Sequence, residues 1–244
     1  MLEIKSLTKI YGSKNGESKK AVDNLTLSID GGQIMAFIGH NGAGKTTTLK
    51  AIAGIIDFDE GQILIDGIDI KKEPMKAKMD IAYLPDNPQL FEHLREIEQI
   101  NFVCDVFGVS EKERKAKTEF YAKRLGIYDD LGGKISTYSH GMKQKLAIVC
   151  ALVHNPKVLL MDEPFVGLDP VSSHELKEIL KEKSSAGVAI SYSTHVLEVA
   201  EKLCSHVAII KNGKLLCLGK MDEIRGNKDL EQLFLEIENE KNDN

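Results

Sequence analysis

Tryptophan is absent from this chain of 244 residues, and no apolar run approaches the roughly 20 residues that a bilayer-spanning helix needs. Cysteine is scarce. Cys104, Cys150, Cys204 and Cys217 are widely spaced with no Cys-x-x-Cys pair, which excludes a disulfide framework or a zinc site and suits the buried, reduced thiols of a cytosolic protein. A basic excess is also missing. The 32 Lys and Arg stand against 37 Asp and Glu, a net charge of −5, which disfavours work on a nucleic-acid backbone. No charged-then-apolar leader opens the chain, and no 20–50-residue repeat runs through it. What is present is ordinary globular usage, 42% apolar and 28% charged. That is enough to bury a sizeable core in one large domain or two small ones and excludes wholesale disorder.

Alternation in Leu25-Thr26-Leu27-Ser28-Ile29 predicts a half-buried strand, and the continuous apolar run Ile34–Ile38 predicts one covered on both faces. A helix is expected from Thr46 to about Ile56. Asp66-Gly67 and Asn212-Gly213, each between apolar pairs, predict two hairpins. Ser110 with Glu113 is a capping-box pattern that Gly126 closes, within a mostly helical insert over about residues 90 to 150. Val158–Met161 and Val188–Ile190 then read as buried strands around a helix near 172–185, an alternation that implies a largely parallel sheet. The last ten residues, mainly Glu, Asn, Lys and Asp, are expected to fray.

Gly39-His40-Asn41-Gly42-Ala43-Gly44-Lys45-Thr46 fits G-x-x-x-x-G-K-[ST], between a buried strand and a helix. The glycines let several N–H groups converge at a partially positive helix start. Lys45 is expected to reach the β- and γ-phosphates of a nucleoside triphosphate, and the Thr46 hydroxyl, followed by Thr47, to ligate Mg²⁺. Downstream, Val158-Leu159-Leu160-Met161-Asp162-Glu163 carries Asp162 to the carboxyl end of the sheet, where it can hold Mg²⁺ through water. Glu163 follows at the strand's end, where it can accept a proton from, or orient, an attacking water.

Tyr138-Ser139-His140-Gly141-Met142-Lys143-Gln144-Lys145-Leu146 ends 16 residues before Asp162. Ser139 can cap the helix that follows, leaving a hydroxyl and N–H groups at a positive end suited to phosphate. With this segment the sequence resembles an ABC-type ATPase subunit over about residues 1 to 225. The resemblance implies an α/β fold: a P-loop NTPase core with a mostly parallel sheet, an N-terminal antiparallel β subdomain and a helical insert over about 88–150. Residues 226–244 are then a short helix and a flexible acidic tail. It implies ATP and Mg²⁺ as ligands and a head-to-tail dimer in which Ser139 and Gly141 complete the partner subunit's site. Tyr11, 28 residues before Gly39, resembles the aromatic that stacks on adenine. Gly167-Leu168-Asp169 resembles the loop crossing the dimer interface, and His195 in Ser193-Thr194-His195 the switch histidine that contacts the γ-phosphate and helps hold Glu163.

Three positions depart from the family pattern. Asp86 stands where a Gln ligand of Mg²⁺ is usual; its carboxylate can bind the ion directly or through water, or Asn87 or Gln89 can take over with a small shift of register. Tyr138, His140 and Met142 replace the usual Leu, Gly and Gln of the signature, while Ser139 and Gly141 are kept. Phe165 replaces a small hydroxyl residue, and simple packing is its expected role. Signature variants of the Ser-x-Gly-Met-Lys-Gln kind resemble subunits that serve exporters of lipids, peptides or antibiotics.

The implied function is an ATPase motor, a homodimer or heterodimer with a second ATP-binding subunit. It would energise a separate integral membrane transporter subunit from the cytoplasmic face of the membrane, with no nucleic-acid partner. Some of Leu90, Phe91, Leu94, Ile97, Phe102 and Phe107 are expected to line a groove for that partner. The alternative is a non-transport ABC ATPase acting on ribosomes or DNA. Against it, Lys45 and Asp162 are only 117 apart with no sustained heptads, and one cassette is present instead of two. A module that binds ATP without hydrolysis is disfavoured by Glu163 and His195.

Overall fold

The computed structural model describes residues 1–12 and 18–239. The elements run in the order β1 (Leu2–Gly12), β2 (Ser18–Ile29), β3 (Ile34–Ile38), α1 (Lys45–Ile52), β4 (Glu60–Ile65), β5 (Ile68–Asp69), α2 (Pro74–Met79) and β6 (Ile81–Leu84). Then follow α3 (Glu96–Val106), α4 (Glu111–Arg124), α5 (His140–Leu152), β7 (Val158–Asp162), α6 (Pro170–Ser185), β8 (Ala189–Thr194), α7 (Leu197–Leu203), β9 (His206–Lys211), β10 (Lys214–Lys220), α8 (Met221–Arg225) and α9 (Leu230–Asn239).

The strands form two sheets. An antiparallel sheet has the order β2-β1-β4-β5, and a six-stranded sheet the order β10-β9-β3-β8-β7-β6, parallel except where β10 turns back on β9. This is the expected α/β P-loop architecture, with an antiparallel N-terminal sheet and helices inserted between β6 and β7. Strand β3 is buried on both faces, and its period of two divides it between two cores. Ile34, Ala36 and Ile38 face the core shared with α3, α5 and α6, while Met35 and Phe37 face the core shared with α1 and the N-terminal sheet. Because β8 lies between β3 and β7, the carboxyl ends of all three open onto one edge, where ligands bind in open α/β sheets.

Several local expectations are refined. Helix α1 stops at Ile52 instead of about Ile56, because Gly54 takes φ +62° and the Ile55 N–H turns back to the Lys50 carbonyl. Strand β2 starts at Ser18, well before Leu25, since its polar first half pairs with β1. Both hairpins form with left-handed turn pairs, Asp66-Gly67 at φ +51° and +81° and Asn212-Gly213 at +50° and +79°. Ser110 caps α4 as expected, its hydroxyl accepting from the Glu113 N–H.

The end of the chain differs more. The segment expected to fray is helical as far as Asn239, and residues 240–244 lie outside the described residues. Helix α9 packs on the large core: Leu230 is fully buried and Phe234 nearly so. Glu201 on α7 holds the junction, accepting from the Leu230 N–H at 3.0 Å and pairing with Arg225 at 2.6 Å. Leu230→Ala should therefore lower the unfolding free energy by about 2–5 kcal/mol. Leu235→Ala, on the solvent side of the same helix, should stay within about 0.5 kcal/mol; urea titration of both variants checks the contrast.

Candidate active site

The phosphate-loop glycines sit where no side chain fits. A Cβ on Gly39 would lie 2.3 Å from the Ile210 carbonyl oxygen, and one on Gly44, at φ +113°, 2.3 Å from that of Ala21. The loop is thus wedged between β2 on one side and the β9–β10 turn on the other, and the Gly213 N–H donates to the Ala43 carbonyl at 2.8 Å. With Gly44 at the N-cap and no side-chain cap, the first N–H groups of α1 face the cleft.

That cleft, of about 350 Å³, is lined by Tyr11, Lys19, Ala21, His40, Asn41, Gly42, Gly44, Lys45, Thr46, Thr47, Asp86, Asp162 and Glu163. Gly39 and Ala43 are buried beneath it as the base of the loop. Tyr11 stands near the end of β1 and is 45% exposed, and the Lys9 ammonium lies 5.4 Å from its ring centroid.

Lys45 is buried and donates to the carbonyls of Gly39 and His40. Burial pushes its ammonium below the ordinary lysine range, while the Glu163 and Asp162 charges act in the opposite sense. Asp162, 2% exposed, accepts from the Thr46 hydroxyl at 2.5 Å through one oxygen and from the Ser193 hydroxyl through the other. Strand register sets the second bond, since Asp162 and Ser193 are directly paired in β7 and β8.

Glu163 adopts φ +50°, a left-handed conformation uncommon outside glycine and asparagine and costing of order 1–3 kcal/mol. Its N–H is held by the Ser193 carbonyl at 3.2 Å and hydroxyl at 3.3 Å. The turn aims the carboxylate into the cleft, and His195 Nδ1 lies 2.9 Å from Glu163 Oε1. Of Asp86, Asn87 and Gln89, only Asp86 lines this cleft. Its carboxylate accepts from the Asn87 N–H at 2.8 Å.

Ser139, Gly141 and Asp169 lie outside the cleft. Ser139 is exposed and caps α5, its hydroxyl accepting from the Met142 N–H at 3.3 Å. Gly141 passes so close to the loop after β7 that a Cβ would be 2.6 Å from the Gly167 carbonyl oxygen. A Cβ on Gly167, in turn, would meet the His140 ring at 2.7 Å. Asp169 caps α6 and pairs with Lys145 at 2.6 Å; the Lys145 ammonium and the Ser172 N–H and hydroxyl hold its carboxyl well below the usual carboxylate range. Phe165 meets Tyr192 edge-on at 5.7 Å, so packing accounts for it.

Sequence reasoning did not single out Ser193, Lys19, Ala21 or Gln144. Gln144 is buried and donates to the Pro164 carbonyl, tying α5 to the loop after Glu163. Phe234 was also missed; its ring lies 5.1 Å from that of His40 and brings α9 to the phosphate loop. Only Ser193 carried a signal, as a hydroxyl next to the carboxyl end of a predicted buried strand; its place opposite Asp162 follows from the strand order.

A second cavity, of about 620 Å³, runs between β6 and the inserted helices. Leu90, Val103, Phe107 and His154 line it, and Asp86 lines both cavities. Phe107 stacks on His154 with centroids 3.8 Å apart. Of the other residues expected there, Phe91 and Phe102 are each 47% exposed and meet edge-on at 5.4 Å. Leu94 packs on the core, and Ile97 faces α4 across a separate small pocket.

The family model described as ABC transporter matches residues 22–166. The chain is 33% identical over 224 residues to the linearmycin resistance ATP-binding protein LnrL of Bacillus subtilis, covering 92% of this chain and 70% of that one. A solved ATP-binding subunit of an ABC transporter superposes with a TM-score of 0.92 at 33% identity, covering 98% of this chain and 99% of that one. The dimeric post-hydrolysis cassette MJ0796, bound to ADP and Pi, superposes with a TM-score of 0.82 at 26% identity, covering 91% and 99%. A phosphate loop wedged between two sheets, an Asp-Glu pair at the end of a buried strand and a serine-capped signature helix thus have a common origin: the chain belongs to the ABC transporter family of ATP-binding subunits and is an ABC ATPase.

Proposed function

We propose that the chain binds ATP with Mg²⁺ in the 350 Å³ cleft and hydrolyses it as one half of a head-to-tail dimer. The cycle drives a separate membrane-spanning transporter subunit in the direction of export. The observation that carries this reading is the bond between Thr46 and Asp162 at the floor of a cleft that also holds Lys45 and Glu163.

In this reading adenine stacks on the exposed ring of Tyr11, and the N–H groups of residues 39–47 hold the phosphates. Lys45 exchanges the carbonyls of Gly39 and His40 for β- and γ-phosphate oxygens. The Thr46 hydroxyl and the Asp162 carboxylate, both hard oxygen donors 2.5 Å apart, fit Mg²⁺, with Asp86 as a further carboxylate on the same cleft. When bound, the ion neutralises charge on the phosphates. Glu163 accepts the proton of the attacking water or orients it, and His195 fixes the Glu163 carboxylate. Ser139, Gly141 and Asp169, outside their own chain's cleft, face the triphosphate of the second copy. That the MJ0796 cassette is dimeric supports pairing of two such chains.

Residues 1–225 form the ATPase domain and about 88–150 its helical part. Among the described residues no helix is long and apolar enough to cross a membrane. The groove lined by Leu90, Val103 and Phe107 suits an amphipathic helix of the membrane-spanning partner at the cytoplasmic face of the membrane. Export is supported by the Ser-x-Gly-Met-Lys-Gln form of the signature and by the resistance role in the name of LnrL.

Lys45→Ala and Gly44→Ala should both abolish ATP binding, the first by removing charge and the second by driving a methyl into the Ala21 carbonyl; fluorescent-nucleotide titration reads both. Glu163→Gln should retain ATP binding and lower turnover by about 10²–10⁴-fold. It should also accumulate an ATP-dependent dimer in light scattering, and hydrolysis at the parent rate would refute the assigned role. Phe107→Asp should release the chain from membranes without changing ATP binding, measured by co-purification with the integral membrane subunit.

A further inference from the structure

Glu96 opens α3 and is fully buried. Its Oε2 lies 2.8 Å from the hydroxyl of Tyr138, the residue immediately before the Ser139 cap. Its Oε1 is buried with no hydrogen-bond partner among the described residues. The same Tyr138 hydroxyl donates to the backbone carbonyl of Asp130 at 2.5 Å. Gly133 leaves room for it, since a Cβ there would stand 2.7 Å from the phenolic oxygen.

A proton count over these groups is restrictive. The Asp130 carbonyl can only accept, so its bond consumes the one phenolic proton of Tyr138. The 2.8 Å contact with Glu96 is then a hydrogen bond only when the carboxyl itself carries a proton. We infer that Glu96 is held as a neutral carboxylic acid donating to Tyr138, and that this proton positions the serine-capped start of α5. Ionisation of Glu96 turns the phenolic proton towards the carboxylate. The Tyr138 and Asp130 oxygens, 2.5 Å apart, then face each other without a proton and separate. Residue 138 and the adjoining cap move with them. Glu96 and Tyr138 are thus positioning residues, and their link to turnover rests on the proposed role of Ser139.

The surroundings favour the neutral form. Tyr138, Asp130 and Cys150 are the ionisable groups facing Glu96 from the other elements. On its own helix Arg95 is turned towards the Gly132 carbonyl, and Glu98 accepts from the Arg95 N–H. Among the described residues no cation pairs with Glu96. Burial pushes its carboxyl up to about 7, Tyr138 pulls it down and the Asp130 charge pushes it up. Burial likewise keeps Cys150 a thiol. Because the folded-state value is raised, the stability given by the neutral acid is complete below the ordinary carboxylate range and is lost as pH rises through about 7.

Infrared difference spectra of the whole chain across pH should show a protonated-carboxyl band that disappears with a midpoint of about 7 and is missing in Glu96→Gln. Amide resonances of residues 138–142 should titrate with the same midpoint in the parent. They should stay fixed in Glu96→Gln, whose amide donates to Tyr138 as the acid does, and in Tyr138→Phe, which breaks the link. ATP turnover of the parent should fall about tenfold or more between pH 6.5 and 8.5, following the protonated fraction, while Glu96→Gln keeps a flat profile. Absence of the carboxyl band near neutral pH, or an amide titration that survives in either variant, overturns the inference. A parent that shows both titrations yet hydrolyses no ATP upholds it and overturns the proposed function instead.

Discussion

The buried carboxylate of Asp162 is the constraint on which the site depends. A charge at that depth is stable only when its lone pairs are met, and here two hydroxyls from different elements meet them, Thr46 on α1 and Ser193 on β8. One side chain thereby fixes the start of the phosphate-binding helix to the carboxyl ends of two neighbouring strands. The Ser193 backbone and hydroxyl also anchor the N–H of Glu163 in its left-handed turn. The strained residue and the buried charge share one support, so the position of the Glu163 carboxylate is set by the pairing of β7 with β8.

The N-terminal sheet is part of the same construction. Its strand β2 supplies the Ala21 carbonyl that closes on Gly44, and the turn after β9 supplies Gly213, whose N–H donates to Ala43. The phosphate loop is therefore clamped by both sheets, and Tyr11 reaches the cleft from the end of β1. Removing the space between these walls is costly because each close approach is to backbone, which cannot rotate away.

What was legible in the sequence follows from how strongly a function selects residue type. Gly39 to Thr46 and Asp162-Glu163 were readable because the proposed phosphate and metal chemistry accepts few side chains there, and the short runs around Asp66-Gly67 and Asn212-Gly213 because few residues tolerate left-handed turns. The Asp162–Ser193 bond was not readable, since it follows from strand order, and the sequence does not say that β8 lies between β3 and β7. The choice among Asp86, Asn87 and Gln89 needed the path of one loop. Helix α9 was underestimated at its end because its apolar residues are interleaved with Glu and Gln, and the composition of the last ten residues hides that Leu230, Leu233, Phe234 and Ile237 share one face on the core. Glu96 was silent for a related reason, since a buried acid looks like any surface glutamate until its neighbours are known, and Tyr138 stood out only as a departure from the signature, without its partner.

The signature helix has two unequal sides, and the difference suits its proposed role towards a second molecule. Its front, at Ser139, is exposed and commits only its own cap bond. Its back and flank are tied to their own chain at three places: Tyr138 to Glu96, Gln144 to the Pro164 carbonyl and Lys145 to Asp169. Two of these ties lead to the loop that leaves Glu163, and the third leads to the inserted helices that wall the apolar groove. A displacement of the insert would thus reach the loop beside the cleft through short contacts, of which the Gln144–Pro164 bond is buried and the Lys145–Asp169 pair lies at the surface. Asp86, on both cavities, offers a second route to the same place. A partner seated in the groove and a nucleotide seated in the cleft would act on the same few residues, which is what coupling between the two sites requires.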